Sequence, residues 1–185
     1  MATSRPSWKW KKYYEKTKTR KIRNSIKLQI QKIQKSKEGL DSPFLEKCLL
    51  GVKYFVGVFP QDALLRKKFL TPACFIVNLD VSSQPGSHWI AIYLDNSNVE
   101  VFDSLGLDPT TWSRKPTILL NFIREKSRTR KLRISRKIQP VSSNFCGVFC
   151  LFFLILRSIL SYRKICDFFS PDLKLNEKRL LDFFK

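Results

Sequence analysis

The sequence predicts an α+β fold: a small mixed or antiparallel sheet beside a central helix buried all round, preceded by a basic N-terminal arm. Three observations predict it. Phe145 to Ser161 is almost wholly apolar, as a helix covered on every side must be. Residues 88–94 and 99–102 alternate around the turn-forming run Asp95-Asn-Ser-Asn98, which reads as a β-hairpin. Finally, thirteen Lys or Arg fall within residues 1–38 against two Glu, a composition no packed core can use.

In chain order, residues 20–37 carry Ile22, Ile26, Ile30 and Ile33 at near-helical spacing among lysines and arginines, which predicts an amphipathic basic helix. Gly39 to Pro43 collects Gly, Asp, Ser and Pro and reads as a linker, so the arm is placed at residues 1–40 and the domain at 41–185. Leu45 to Tyr54 and Asp62 to Phe69 are expected as short helices, and Phe75 to Leu79 as a buried strand running into the turn-rich segment 82–87. After the hairpin come a helix over Thr117 to Glu125, a basic strand over Leu132 to Ile138, and the long apolar helix.

A chain of 185 residues suits one domain of ordinary size plus a tail. With 43% apolar and 13% aromatic residues it is not intrinsically disordered. Its 35 Lys and Arg against 15 Asp and Glu leave a formal charge of +20, which self-repels unless a polyanion screens it, so nucleic acid is the first expected partner. Five cysteines, odd in number and without paired zinc spacing, together with a basic N-terminus lacking an apolar signal segment, point to a reducing, intracellular setting. The longest apolar run, Phe145 to Leu156, falls well short of the roughly 20 residues of a spanning helix, so no membrane role is expected.

The chain has a single histidine, His88, at the start of the first hairpin strand, and Asp103 just after the return strand. Pairing the strands around the 95–98 turn brings their outer ends together, so a carboxylate meets an imidazole and can fix its tautomer. Cys146 stands at the head of the apolar helix, where the macrodipole and a neighbouring His⁺ favour thiolate. Gln139, seven residues earlier, and the Cys146 backbone N–H could supply oxyanion donors, and Gly147 could leave room for a substrate backbone. Singly, each has a plain structural explanation; in this order they compose a nucleophile, base, orienting acid and oxyanion donor.

The segments PGSHWIAIY (85–93), VEVFDSLG (99–106) and IQPVSSNFCGVFCLFFL (138–154) resemble the adenovirus-type cysteine proteases (adenain), which belong with the ubiquitin-like-protein proteases to the papain-like superfamily. GVFPQDALL (57–65) and FIVNLDVSSQPGSHW (75–89) resemble more specifically the adenain-like proteases of Maverick/Polinton-type transposons and related DNA viruses. The resemblance covers about residues 50–165. It implies Cys146 as nucleophile at the N-terminus of the central helix, His88 as general base and acid, Asp103 as orienting carboxylate and Gln139 as oxyanion donor, with Trp89 packing the dyad. Deconjugating relatives commonly place an acid before the nucleophile and one residue fewer after the glutamine, whereas Phe145 precedes Cys146 here, which favours the viral branch. No cysteine lies between Cys74 and Cys146, so any peptide activator is expected to be non-covalent.

The function expected is a cysteine endopeptidase cutting near Gly in viral or transposon structural precursors, as a monomer in the virion or host nucleus. No metal or small-molecule cofactor is expected; DNA is expected as a localising or activating polyanion. Lys9, Lys11, Lys12, Arg20 and Lys21 of the arm, and Arg128, Arg130, Lys131 and Arg133 near the basic strand, are the candidate phosphate contacts, non-specific because no base-reading motif is present. Three alternatives stay open. The chain could be a deconjugase for ubiquitin-like modifiers or a DNA-binding protein on an inactive protease scaffold. The third is a metal site at His88, Cys146 and Cys150, which lacks a fourth ligand. Cys48, Cys74 and Cys166 are assigned to packing.

Overall fold

The computed structural model describes residues 20–36, 38–106 and 117–184. Its elements are α1 (Arg20–Ser36), α2 (Ser42–Leu49), β1 (Phe55–Pro60), a 3-10 turn (Gln61–Arg66), β2 (Ala73–Asn78), β3 (Trp89–Leu94), β4 (Asn98–Phe102), α3 (Thr117–Ser127), β5 (Lys131–Ile134), α4 (Cys146–Arg157), α5 (Tyr162–Cys166) and α6 (Leu173–Phe184). The strands form one sheet in the order β1-β2-β3-β4-β5. The central pairs β2/β3 and β3/β4 are antiparallel, and the outer pairs β1/β2 and β4/β5 are parallel. The fold is therefore α+β with a mixed sheet, as the sequence predicts.

Alternation along the central strands separates two cores. On one face Phe75, Val77, Ile90, Ile92, Leu94, Val99 and Val101 pack with Leu119, Phe122 and Ile123 of α3. On the other, Cys74, Ile76, Ala91, Tyr93 and Phe102 meet α4, every residue of which from Cys146 to Leu156 is buried. Ala91 is small enough for the helix to approach, and beside it the Phe102 and Phe153 rings stack at 4.4 Å. Burying a Phe contributes about 1.5–3 kcal/mol, and Phe153→Ala should cost ~3–5 kcal/mol by leaving a cavity under α4.

Helix α1 departs from the expected division at residue 40. Ile26, Ile30 and Ile33, at i, i+4 and i+7, are buried in the same core as α4, and α1 packs on α6. Its opposite face carries the exposed Lys21, Lys27, Lys32 and Lys35. Residues 20–36 are thus an outer layer of the domain rather than a separate arm, because an apolar stripe of that width must be covered. Lys9, Lys11 and Lys12 lie outside the described residues, and Arg20 is described only as the first residue of α1.

Other boundaries shift for local reasons. Helix α2 starts at Ser42 because Asp41 caps it, its carboxylate accepting from the Phe44 N–H at 2.8 Å with Pro43 in the first turn, so the expected linker is largely a helix start. The segment expected as a helix over 62–69 is a 3-10 turn ending at Arg66, and the basic strand expected over 132–138 closes at Ile134. Strand β1 and helix α6 are elements that the sequence pattern does not predict. Among the described residues no helix is long and apolar enough to cross a membrane.

Candidate active site

The hairpin does what its pattern requires. Ala91 pairs with Phe102, so His88, one residue before β3, and Asp103, one residue after β4, meet at the open end. His88 Nε2 lies 2.7 Å from Asp103 Oδ1, with the carboxylate fully buried and the histidine nearly so. The same Oδ1 accepts the Leu105 N–H at 2.9 Å. The Asp103 backbone is held by one side chain: Ser135 Oγ accepts its N–H at 2.8 Å and donates to its carbonyl at 2.6 Å.

The Cys146 thiol stands beside the His88 ring, close enough to act on its proton affinity, and both line the same cleft. With Nε2 committed to Asp103, Nδ1 is the nitrogen left for the sulfur. Burial works against the imidazolium, but the hydrogen bond to Asp103, the neighbouring Cys146 sulfur and the charges of both outweigh it and push the His88 pKa up to about 10. Cys146 is the first residue of α4, whose start has no side-chain cap and no acid in its first turn, so backbone N–H groups there are free of competing carboxylates. One turn on, Cys150 is completely buried, and its thiol is pushed well above the ordinary value by that burial, which makes it a packing residue.

Gln139 lines the same cleft as His88 and Cys146. Its Nε2 donates to the Ser143 carbonyl at 2.6 Å, its Oε1 accepts from Ser104 Oγ at 2.5 Å, and its backbone N–H donates to the Ser104 carbonyl at 2.9 Å. The cleft, about 720 Å³, runs between residues 39–43 on one side and the 80–87 loop on the other. Asn78 holds that loop: its Oδ1 accepts the Asp80 and Ser87 N–H groups at 2.9 and 3.3 Å, and Gly86, at φ +91°, lies where a Cβ would come within 2.6 Å of the Asn78 amide.

Trp89 lines the cleft as expected and also ties its wall together, its Nε1–H donating to the Leu40 carbonyl at 2.8 Å. Gly147 differs from expectation. The space a Cβ would need is filled by Leu40 and Leu45, at 3.2 and 3.4 Å, so the glycine admits the chain's own wall rather than substrate. Ser104, Ser143, Asn78 and Leu40 are site residues that the sequence reading misses. Ser104 alone carries a signal, since it directly follows Asp103 at the end of the hairpin.

The cations near β5 divide. Arg128 and Lys131 are exposed, whereas Arg130 Nε donates to the Asp95 carbonyl at 2.8 Å and Arg133 Nε to Asn98 Oδ1 at 3.0 Å, so these two brace the hairpin turn. Among the described residues no group of three or more His, Cys, Asp or Glu could hold a metal ion.

No curated protein gives a significant match to this chain. Two solved structures illustrate what it is similar to. One is the ASFV pS273R protease in its selenomethionine form, 25% identical over 62% of this chain and 46% of that one, with a TM-score of 0.35. The other is the C-terminal Ulp1 protease domain bound to Smt3, the yeast orthologue of SUMO, 14% identical over 79% of this chain and 66% of that one, with a TM-score of 0.31. The chain thus spans less than half the length of the first and about two thirds of the second. The sequence model of the adenovirus endoprotease family matches residues 55–172, well over half of the chain and the whole of the His88, Asp103, Gln139 and Cys146 constellation, and the chain belongs to that family.

Proposed function

We propose that the protein is a cysteine endopeptidase with Cys146 as nucleophile. The observation that carries this reading is the His88 ring set between Asp103, at 2.7 Å, and the Cys146 sulfur, beside a cleft that Gln139 also lines. The Cys146 sulfur attacks the scissile carbonyl carbon, and the carbonyl oxygen takes the negative charge, received by the Gln139 amide and the Cys146 N–H. His88 gives its Nδ1 proton to the leaving amine as the C–N bond breaks, leaving an acyl-enzyme. Water then attacks the thioester, His88 takes its proton, and the thiolate departs. Asp103 keeps the ring in place and stabilises the imidazolium throughout.

The substrates proposed are extended segments cut near Gly in structural precursors of a virus or transposon. What supports small residues is the wall of Leu40 and Trp89 beside the nucleophile. The decisive assay compares the wild type with Cys146→Ala on Gly-containing peptides. Loss of turnover, with loss of iodoacetamide labelling at that position, is the expected result, and unchanged turnover refutes the reading. Conjugates of ubiquitin-like modifiers tested in parallel distinguish a deconjugase.

DNA as a non-covalent localising partner belongs to the same proposal, supported by the +20 charge. Its test removes residues 1–19 only, because α1 is part of the core. Loss of Lys9, Lys11 and Lys12 should lower the salt slope of binding by about 0.9 per phosphate contact, with peptide cleavage retained.

A further inference from the structure

Ser104 has no part in the proposed proton and acyl transfers, yet it holds Gln139 through both its side chain and its backbone carbonyl. The Ser143 carbonyl can only accept a hydrogen bond, so it fixes which end of the Gln139 amide is NH2. The other end, Oε1, must then face Ser104, and the serine hydroxyl must be the donor. The Ser104 carbonyl also accepts the backbone N–H groups of both Ile138 and Gln139, each at 2.9 Å. Both side chains are almost completely buried, so a rotated amide would leave polar atoms unpaired.

We infer that Ser104 is a positioning residue for the oxyanion hole: by donating to Gln139 Oε1 it locks the amide so that the second Nε2 hydrogen is presented to the carbonyl oxygen of a bound peptide. The inference rests on the cysteine-peptidase reading above. The dipeptide Asp103-Ser104 then orients two halves of the machinery from one point, Asp103 aiming the imidazole and Ser104 aiming the oxyanion donor. Ser135, whose hydroxyl satisfies both backbone groups of Asp103, fixes that point to β5's exit. The rate benefit is preorganisation, because a donor already aimed needs no rearrangement as charge develops.

The test is a double-mutant cycle on the full-length protein, with kcat and KM for a Gly-containing peptide measured separately. Gln139→Ala should lower kcat by ~10² to 10³, and Ser104→Ala by about tenfold, with KM nearly unchanged in both. In the Gln139→Ala background, Ser104→Ala should cost almost nothing further, since there is no amide left to aim. Gln139→Glu, which can still accept from Ser104 but cannot donate to an oxyanion, should be as slow as Gln139→Ala. Ser104→Thr, which keeps the hydroxyl, should restore kcat, and thermal midpoints separate folding losses from rate losses. Independent, multiplying losses, or a Ser104→Ala enzyme with unaltered kcat, overturn the inference. So does an unchanged kcat in Gln139→Ala, while dependence of turnover on Cys146 reports separately whether the peptidase reading stands.

Discussion

Two buried carboxylates come from one strand and its exit, three residues apart, and they do opposite things. Glu100 on β4 meets Arg157 in a bidentate pair, at 2.7 and 3.2 Å, while Asp103 meets His88 at 2.7 Å. Arg157 is the last residue of α4 and Cys146 the first, so the two pairs mark opposite ends of the same helix. A guanidinium holds its proton throughout the accessible pH range, so the Glu100 pair can only fasten the helix to the sheet, helped by the Arg157 charge 3.9 Å above the Tyr93 ring. An imidazole exchanges its proton, and this one borders a cleft and a thiol. The difference between cement and chemistry therefore lies in the basic partner and what stands behind it, not in the depth of the carboxylate.

Asp103→Asn should fold and yet lose up to ~10⁴ in kcat, the largest effect expected at either pair. If kcat survives, Asp103 is as structural as Glu100. The next effect falls on stability. Arg157→Ala leaves Glu100 buried without its partner and should cost ~3–5 kcal/mol in urea unfolding, with kcat per folded molecule unchanged. Burial, with the Asp95 charge, leaves the Glu100 carboxyl raised in spite of Arg157, so the double replacement Glu100→Leu with Arg157→Met should cost less than Arg157→Ala alone.

The pairs should also separate by pH. His88 has a raised folded pKa, so its contribution to stability is complete below its unfolded value near 6.5 and is lost as pH rises through about 10. Glu100 is raised as well, so ionising it costs stability in the carboxyl range, and acidification relieves that cost. Unfolding midpoints against pH should show His88→Gln flattening the alkaline limb alone and Glu100→Gln the acid limb alone. Smallest of all, Asp95→Ala should cost only ~1 kcal/mol without touching the rate. Its Oδ1 accepts the Ser97 and Asn98 N–H groups at the far end of the hairpin and its Oδ2 lies 3.9 Å from Arg157, so a turn is loosened and a long ion pair is lost, both away from the cleft.

The same contrast explains what is readable in the sequence. His88 and Asp103 can be brought together on paper because a hairpin is local: one turn and a period of two fix who faces whom. The apolar face of α1 is equally visible, but it packs on α6, more than a hundred residues away, and spacing within one helix names no partner. Strand β1 is hidden because Gly57 and Pro60 read as turn residues, whereas its parallel pairing with β2 tolerates a bulge between Phe55 and Val58. Gly147 reads as room for substrate because its neighbour Cys146 faces a cleft, but Leu40, which fills the space, is remote in sequence. Ser104 is marked only by its place after Asp103, and its task stays hidden for a chemical reason: a serine beside a buried glutamine means nothing until the amide's other partner, Ser143, is known.

The bond from the Trp89 indole to the Leu40 carbonyl makes the protein its own optical reporter. Of the four tryptophans, Trp8, Trp10 and Trp112 lie outside the described residues, and replacing those three with Phe leaves one indole, in the cleft wall, to be excited apart from the tyrosines. An indole whose N–H is bonded to protein emits at shorter wavelength than one facing water, so a shift in the Trp89 emission maximum reports a change at the bond to Leu40. Seating a peptide in the cleft or alkylating Cys146 should shift that emission, readable in real time without any added dye.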